Sequence, residues 1–266
     1  MTVQRSLMLA FVGISVMVAL VVTVLAFWYV RRILLGHIEV QLGQQAARIM
    51  EQIDMTLFER SANVATWSRL RIMEDLRTRD LDKRLSALLR DLQQGYSGVY
   101  QVLLATDTGG EILAASDPAW IGHRLTFHRP LKRFRIGRQT IHVMPLALFG
   151  DGLAFQSAVK DEAGRQLGWL YAVLNLEELR RLLEQTNKDS AVIQMAVLLD
   201  RERRVMAVSD ALRGLVPSGK AWDEIWKGTD GGGIRIYRLQ SLTGSELVAG
   251  FAAGNGYRAF PGLGWQ

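Results

Sequence analysis

Six cationic side chains lie between Asp117 and Asp151 with no acid among them: Arg124, Arg129, Lys132, Arg133, Arg135 and Arg138. Guanidinium groups at this density favour anions, which they hold through charge-assisted and often bidentate hydrogen bonds. Arg129 and Arg133 are the leading candidates to contact a small organic anion. Candidates to flank it are Trp120, before the run, and Phe155, Ser157, Trp169 and Tyr171, on later strand-like segments. The same arginines could instead form a solvated face that meets anionic lipid or polysaccharide. The run accounts for the net charge of +6, because the rest of the chain holds 26 cations against 26 anions. A nucleic-acid partner therefore does not follow from the overall charge.

Other chemistry is absent from the sequence. There is no G-x-x-x-x-G-K-[ST], no H-E-x-x-H and no G-x-S-x-G. Gly231-Gly232-Gly233 lacks the Lys-Ser/Thr that a phosphate cradle needs, and reads as a loop. The histidines are His37, His123, His128 and His142; His123 and His128 are close in sequence but have no carboxylate nearby, so no metal site is expected. The absence of cysteine excludes disulfides, zinc–thiolate sites and thiol catalysis. Neither an enzyme active site nor a cofactor is expected in these 266 residues.

The elements that would position the candidates begin with a run of 25 uncharged residues from Ser6 to Val30. As a helix it reaches about 37 Å, enough to cross a hydrocarbon core of about 30 Å. Phe27, Trp28 and Tyr29, followed by Arg31 and Arg32, suit a membrane boundary better than a cleavage site. Arg5 on one side and Arg31 and Arg32 on the other leave the orientation open. An apolar stripe then recurs at helical spacing through Ile38, Leu42, Ala46, Ile49, Ile53, Leu57, Val64 and Trp67. It predicts self-packing in its later half and a dimer contact near the membrane. Asp80 reads as the N-cap of a second helix with Leu81, Leu85, Leu88 and Leu92 on one face and Gly95 at its end.

From Val99 the pattern changes to strands. Val99–Ala105 and Glu111–Ser116 flank the turn Asp107-Thr108-Gly109-Gly110. A loop follows, with a short helix expected around Pro130–Ile136, and then strands at Gln139–Pro145, Leu153–Lys160 and Gln166–Leu174. Asn175 caps a helix lined by Leu179, Leu182 and Leu183. The segment DTGGEILAASD at 107–117 then finds a counterpart in DRERRVMAVSD at 200–210, and Gly164-x-x-Leu167 in Gly244-x-x-Leu247. Matches in the same order suggest tandem copies of one α+β module; two ordinary hairpins sharing common turn residues are the plainer reading.

These features resemble the double Cache sensors, tandem PAS-like regions of bacterial transmembrane signalling proteins. The resemblance is carried by VLLATDTGGEILAASDPAWIGHRL (102–125), AVKDEAGRQLGWLYAVLNLEELRRLL (158–183) and GYRAFPGLGWQ (256–266). It implies an α+β fold with antiparallel sheets, a cytoplasmic tail at 1–6, a transmembrane helix at 7–30, and juxtamembrane and sensor helices at 31–94. It further implies a membrane-distal module at 95–187 and a membrane-proximal one, cut short, at 188–266. The implied protein is a homodimeric, periplasmic sensor in a bacterial inner membrane, followed by a second membrane helix and a cytoplasmic output domain such as a histidine kinase or diguanylate cyclase. In this family the ligand sits beside the segment joining the second and third strands, here 118–138. Members that bind amino acids resemble an Arg-x-Trp-Tyr pattern there, with an Asp on the final strand. Only Arg129 matches, Val173 taking the place of that Asp, so the resemblance points to an organic acid. The alternative is a tethered interaction domain that holds anionic envelope polymers.

Overall fold

The structure, a computed structural model, describes residues 3–126, 129–149, 152–188, 196–210, 235–240 and 246–266. Three features named above, His128, the Gly231–Gly233 run and Gly244, lie outside these residues.

Helix α1 runs unbroken from Val3 to Trp67, a length of about 98 Å at the usual rise. Its first part is apolar all round, and side chains such as Phe11, Leu20, Leu25 and Trp28 are uncovered by protein. This part is long and apolar enough to cross a membrane. Within it the Thr23 hydroxyl donates to the Ala19 carbonyl at 2.8 Å, which satisfies that hydroxyl inside the helix. Further along, the apolar residues narrow to a stripe. Ile38 is still 42 % exposed, whereas Ile53, Leu57 and Val64 are fully buried. Self-packing therefore begins in the later half of the stripe.

Helix α2 (Arg84–Gly95) follows a 3-10 turn at Arg71–Thr78. Asp80 does cap it, from a position further upstream than an ordinary N-cap. Its buried carboxylate accepts from the Leu85 and Ser86 backbone N–H groups at 2.9 and 3.0 Å and from the Ser86 hydroxyl at 2.6 Å. The chain between is not yet helical, so Leu81 points outward at 77 % exposure and does not join Leu85 and Leu89 on the buried face.

Six strands form one antiparallel sheet in the order β2-β1-β6-β5-β4-β3. They are β1 (Tyr100–Asp107), β2 (Ile112–Ala115), β3 (Lys132–Ile136), β4 (Gln139–Pro145), β5 (Leu153–Lys160) and β6 (Gln166–Leu174). The expected helix at Pro130–Ile136 is instead the edge strand β3. Alternation explains the difference: Phe134 is buried while Arg133 and Arg135 on either side point to the opposite, solvated face. Gly168 lets β6 approach β1 closely, since a Cβ there would come within 1.8 Å of the Thr106 carbonyl oxygen.

Both faces of the sheet are covered. Phe155, Val143, Ile141, Leu170, Ala172 and Leu103 join the helices in one core. Leu104, Val102, Tyr171, Val173, Met144 and Ala154 pack under Leu125, Leu146, Trp120 and Phe149 from the connecting loops. Each strand thus alternates between a helix face and a loop face.

After α3 (Leu176–Lys188) come two hairpins, β7 (Val197–Leu199) with β8 (Val205–Val208), and β9 (Arg235–Gln240) with β10 (Glu246–Phe251). The β7–β8 hairpin makes the same bonds as β1–β2. Asp107 and Asp200 each accept, through Oδ1, the N–H four residues on, at 2.9 and 2.8 Å. The Ser116 and Ser209 hydroxyls each accept from the first strand, from Leu103 N and Ala196 N, both at 3.0 Å. Even the bulge recurs, between Ala105 and Thr106 and between Leu198 and Leu199. Beside β7, Leu199 and Gln266 exchange both backbone bonds.

The C-terminal segment is fastened to α1. Gly250 on β10 meets the helix backbone at Leu42 and Gly43, where a Cβ would lie 2.5 Å from the Leu42 carbonyl carbon. The Asp54 carboxylate accepts the Gly256 N–H at 2.7 Å, and Phe58 packs edge-on to Tyr257 at 5.7 Å. Phe260 reaches across to Phe134 of β3, with ring centroids 5.4 Å apart.

Two outcomes are expected. Asp80→Ala should cost at least about 2 kcal/mol in chemical denaturation, because two buried N–H groups lose their acceptor. Burial raises the Asp54 carboxyl above the ordinary aspartate value of 3.8, against the pull of the Gly256 and Asn255 N–H groups. The folded state therefore holds this proton more tightly than the unfolded chain. The contribution is fully present below the unfolded value and is lost as pH rises through the folded one. Asp54→Asn should flatten the pH dependence of stability in the window just above 3.8, measured by denaturation of both proteins across acid pH.

Candidate functional site

The loop face of the sheet carries a row of polar side chains in register across four strands. His142 on β4 stands opposite Gln156 on β5, Gln156 opposite Tyr171 on β6, and Thr106 on β1 is one step along from Tyr171. Antiparallel neighbours opposite one another project to the same face. The His142 Nδ1 lies 2.8 Å from Gln156 Oε1, and Gln156 Nε2 donates to the Tyr171 hydroxyl at 2.7 Å. Beyond Tyr171, the Thr106 hydroxyl donates to the Asp107 carbonyl at 2.9 Å.

A carbonyl only accepts, so the Thr106 proton is committed to Asp107. Burial pushes the Tyr171 phenol up to about 12, so it keeps its proton and can donate. Its oxygen then accepts from the Gln156 amide N–H, which turns Oε1 toward His142 and requires a proton on Nδ1. The His142 Nε2 is left as the row's open end, and among the described residues it has no partner. The ring is half-buried and packs against Trp169, their centroids 5.9 Å apart.

The seven sequence candidates divide between places. Trp169 and Tyr171 lie on the loop face, joined by Trp120, which packs against Phe149 with centroids 4.6 Å apart. Arg133 also belongs to this face, because it stands opposite His142 at the sheet edge. Phe155 and Ser157 do not. They point to the helix face, where Phe155 is core and the Ser157 hydroxyl lies 3.0 Å from that of Ser68 after α1. Arg129 is exposed in the segment leading to β3. Sequence reasoning missed His142 and Gln156. Their spacing from Tyr171 has no meaning until strand register aligns the three.

The linker between β2 and β3 first runs beside β2, where Ile112 donates to His123 at 2.8 Å and accepts from Gly122 at 2.9 Å. It rejoins the sheet at the opposite edge, where Leu131 donates to Val143 at 2.7 Å. The described parts of the basic segment are therefore held at the two opposite edges of the sheet. Among the described residues no three His, Asp or Glu side chains converge as metal ligands would.

No protein-family model matches the sequence, and no match is found among curated proteins. Solved structures do match the fold. An extracellular domain assigned to a histidine kinase, rpHK1S-Z16, superposes with a TM-score of 0.58 at 13 % identity, over 86 % of this chain and 93 % of that one. The sensor domain of the Vibrio cholerae histidine kinase DctB gives 0.52 at 16 %, over 77 % and 84 %. The sensory domain of the Campylobacter jejuni chemoreceptor Tlp3 gives 0.50 at 14 %, over 79 % and 87 %. The chain shares the fold of these domains. At these identities the likeness is one of architecture, and the sheet here carries its own set of polar side chains.

Gln156→Leu should strand both the His142 Nδ1–H and the Tyr171 hydroxyl, and cost about 2–3 kcal/mol in chemical denaturation. Tyr171→Phe, which leaves the His142–Gln156 bond in place, should cost less.

Proposed function

We propose that this chain is the extracytoplasmic, ligand-sensing input region of a bacterial transmembrane signalling protein. The observation that carries the reading is the continuity of α1, which passes from the membrane-length apolar segment into the core beneath the sheet without a break. A ligand on the loop face would alter how the sheet rests on that helix. A small rotation or shift of α1 would then be felt at its membrane end, as in other helix displacements that carry signals. The shared bonding of β1–β2 and β7–β8 supports a second module at 188–266. Contacts along α1 support its place nearer the membrane: β10 meets the helix at Leu42, whereas the first sheet rests on the later half. In this reading the protein is a homodimer in the inner membrane, and an output domain in the cytoplasm receives the signal.

A second reading rests on a specific observation. Arg124, Arg129, Arg133, Arg135 and Arg138 are all exposed, and such a surface could hold anionic envelope polymers without any small ligand. Salt separates the two, because polymer retention by exposed charge falls steeply with ionic strength.

The test uses the full chain in nanodiscs. A thermal-shift screen of organic acids, amino acids and neutral metabolites should give saturable stabilisation by at least one compound. A silent screen with salt-sensitive retention of an anionic polysaccharide would favour the second reading instead. Orientation is checked separately on the cysteine-free background. Arg138→Cys should react with a membrane-impermeant maleimide added outside intact cells, and labelling only after lysis would reverse the assigned topology.

A further inference from the structure

We propose that the end of the β9–β10 hairpin at Gln240 and Glu246 rests against anionic phospholipid headgroups, which Arg31 and Arg32 hold at the same level of α1, so that the bilayer surface acts on the contact between β10 and the helix. The inference rests on the reading of α1 as a membrane helix, and it names a partner for the hairpin beside it.

Helix α1 serves as a ruler. Gly250 meets its backbone at Leu42 and Gly43, and a Cβ on Gly254 would lie 3.0 Å from the Met50 methyl group. Gly256 donates to Asp54 at 2.7 Å, and Tyr257 packs on Phe58. Contacts therefore advance in the same direction along both segments. From Leu42 to Asp54 the helix rises about 18 Å. From Gly250 to Gly256 an extended chain covers about 20 Å. The two lengths nearly agree, so β10 and the residues after it run alongside α1, almost parallel to its axis.

The ruler also extends toward the membrane. Glu246 is the first residue of β10 and pairs with Gln240, the last of β9. It precedes Gly250 by about 13 Å of strand, a distance that α1 covers in about nine residues. The hairpin end thus stands level with Ile33. The uncharged run of α1 ends at Val30. Headgroups occupy about 5–8 Å beyond the hydrocarbon on each side, or about three to five residues of helix. Ile33 falls inside that layer, and so does the hairpin end.

The side chains of α1 at this depth suit an anionic headgroup. Phe27, Trp28 and Tyr29 are exposed, as aromatic side chains are at a membrane boundary. Arg31 and Arg32 follow them and are exposed too, with the Arg32 guanidinium over the Trp28 ring at 6.0 Å. From Val30 to Gly36 the helix carries these two cations and no acid. Glu246 adds one carboxylate at the same level, so the net charge there stays positive and attracts lipid phosphate.

The position of the hairpin gives the contact a consequence. Gly250 fits against α1 only because it lacks a side chain; a Cβ would lie 2.5 Å from the Leu42 carbonyl carbon. Such a close fit cannot absorb displacement by bending a side chain. Pressure from headgroups on the hairpin end is therefore passed directly to the helix backbone at Leu42 and Gly43.

The test labels single cysteines on the cysteine-free full chain with a small fluorophore, in nanodiscs doped with a lipid that carries a nitroxide on its headgroup. Ile33→Cys sets the depth standard. Gln240→Cys and Glu246→Cys should be quenched as strongly as Ile33→Cys. Arg235→Cys, on the same strand but about 17 Å farther out, should be quenched little. Replacing phosphatidylcholine by a 3:1 mixture with phosphatidylglycerol should raise the ratio of quenched to unquenched lifetimes at Gln240→Cys by up to ~5-fold per arginine. Arg32→Gln should remove much of that gain and leave the thermal midpoint unchanged. Equal quenching at 240, 246 and 235, or a ratio that ignores phosphatidylglycerol, overturns the proposal. If Ile33→Cys is quenched while the hairpin labels are not, this inference falls and the membrane reading of α1 stands. If Ile33→Cys also escapes quenching, both fall.

Discussion

A peptide backbone inside hydrocarbon must satisfy its own hydrogen bonds, and α1, whose first part is long and apolar enough to cross a membrane, satisfies them in a helix that continues unbroken into the folded domain. Everything else is built along that one rod. In its first part, uncovered by protein, α1 is apolar on all sides. Where protein covers one side, its apolar residues narrow to the stripe Ile53–Leu57–Val64. The change of pattern along a single element marks where the folded domain begins. Because no loop or break interrupts α1, the domain has no hinge at that boundary on which to turn freely.

The sheet obeys a second constraint, the two-residue alternation of its strands. One face is committed to the helices and so is apolar almost throughout. The other is covered only by loops, and it is there that a polar row can be afforded, since each member finds its partner on the next strand. The arrangement divides the labour of each strand between packing and recognition. Phe155 and Gln156 are neighbours in sequence, yet one is core and the other belongs to the candidate site.

Much of this was legible in the sequence. The uncharged run, the helical stripe, five of the six strands and the Asp-led turns were all readable from local pattern, because each is decided within a few residues. Three features were not. The segment Lys132–Ile136 alternates as a strand should, yet a short helix was expected around it. Leu81 has the right spacing for the α2 face, but the capping carboxylate of Asp80 reaches past it, and the helix begins later. The face on which Phe155 and Ser157 lie, and the alliance of His142 with Gln156 and Tyr171, depend on strand register, which is set by contacts between residues far apart in the chain.

The two matching hairpins differ at one telling position. Where the first bulge places Thr106, the second places Leu199. The Thr106 hydroxyl donates to the Asp107 carbonyl; a leucine has no hydroxyl with which to do so. The second hairpin thus keeps the register and bulge of the first with an apolar side chain at this place.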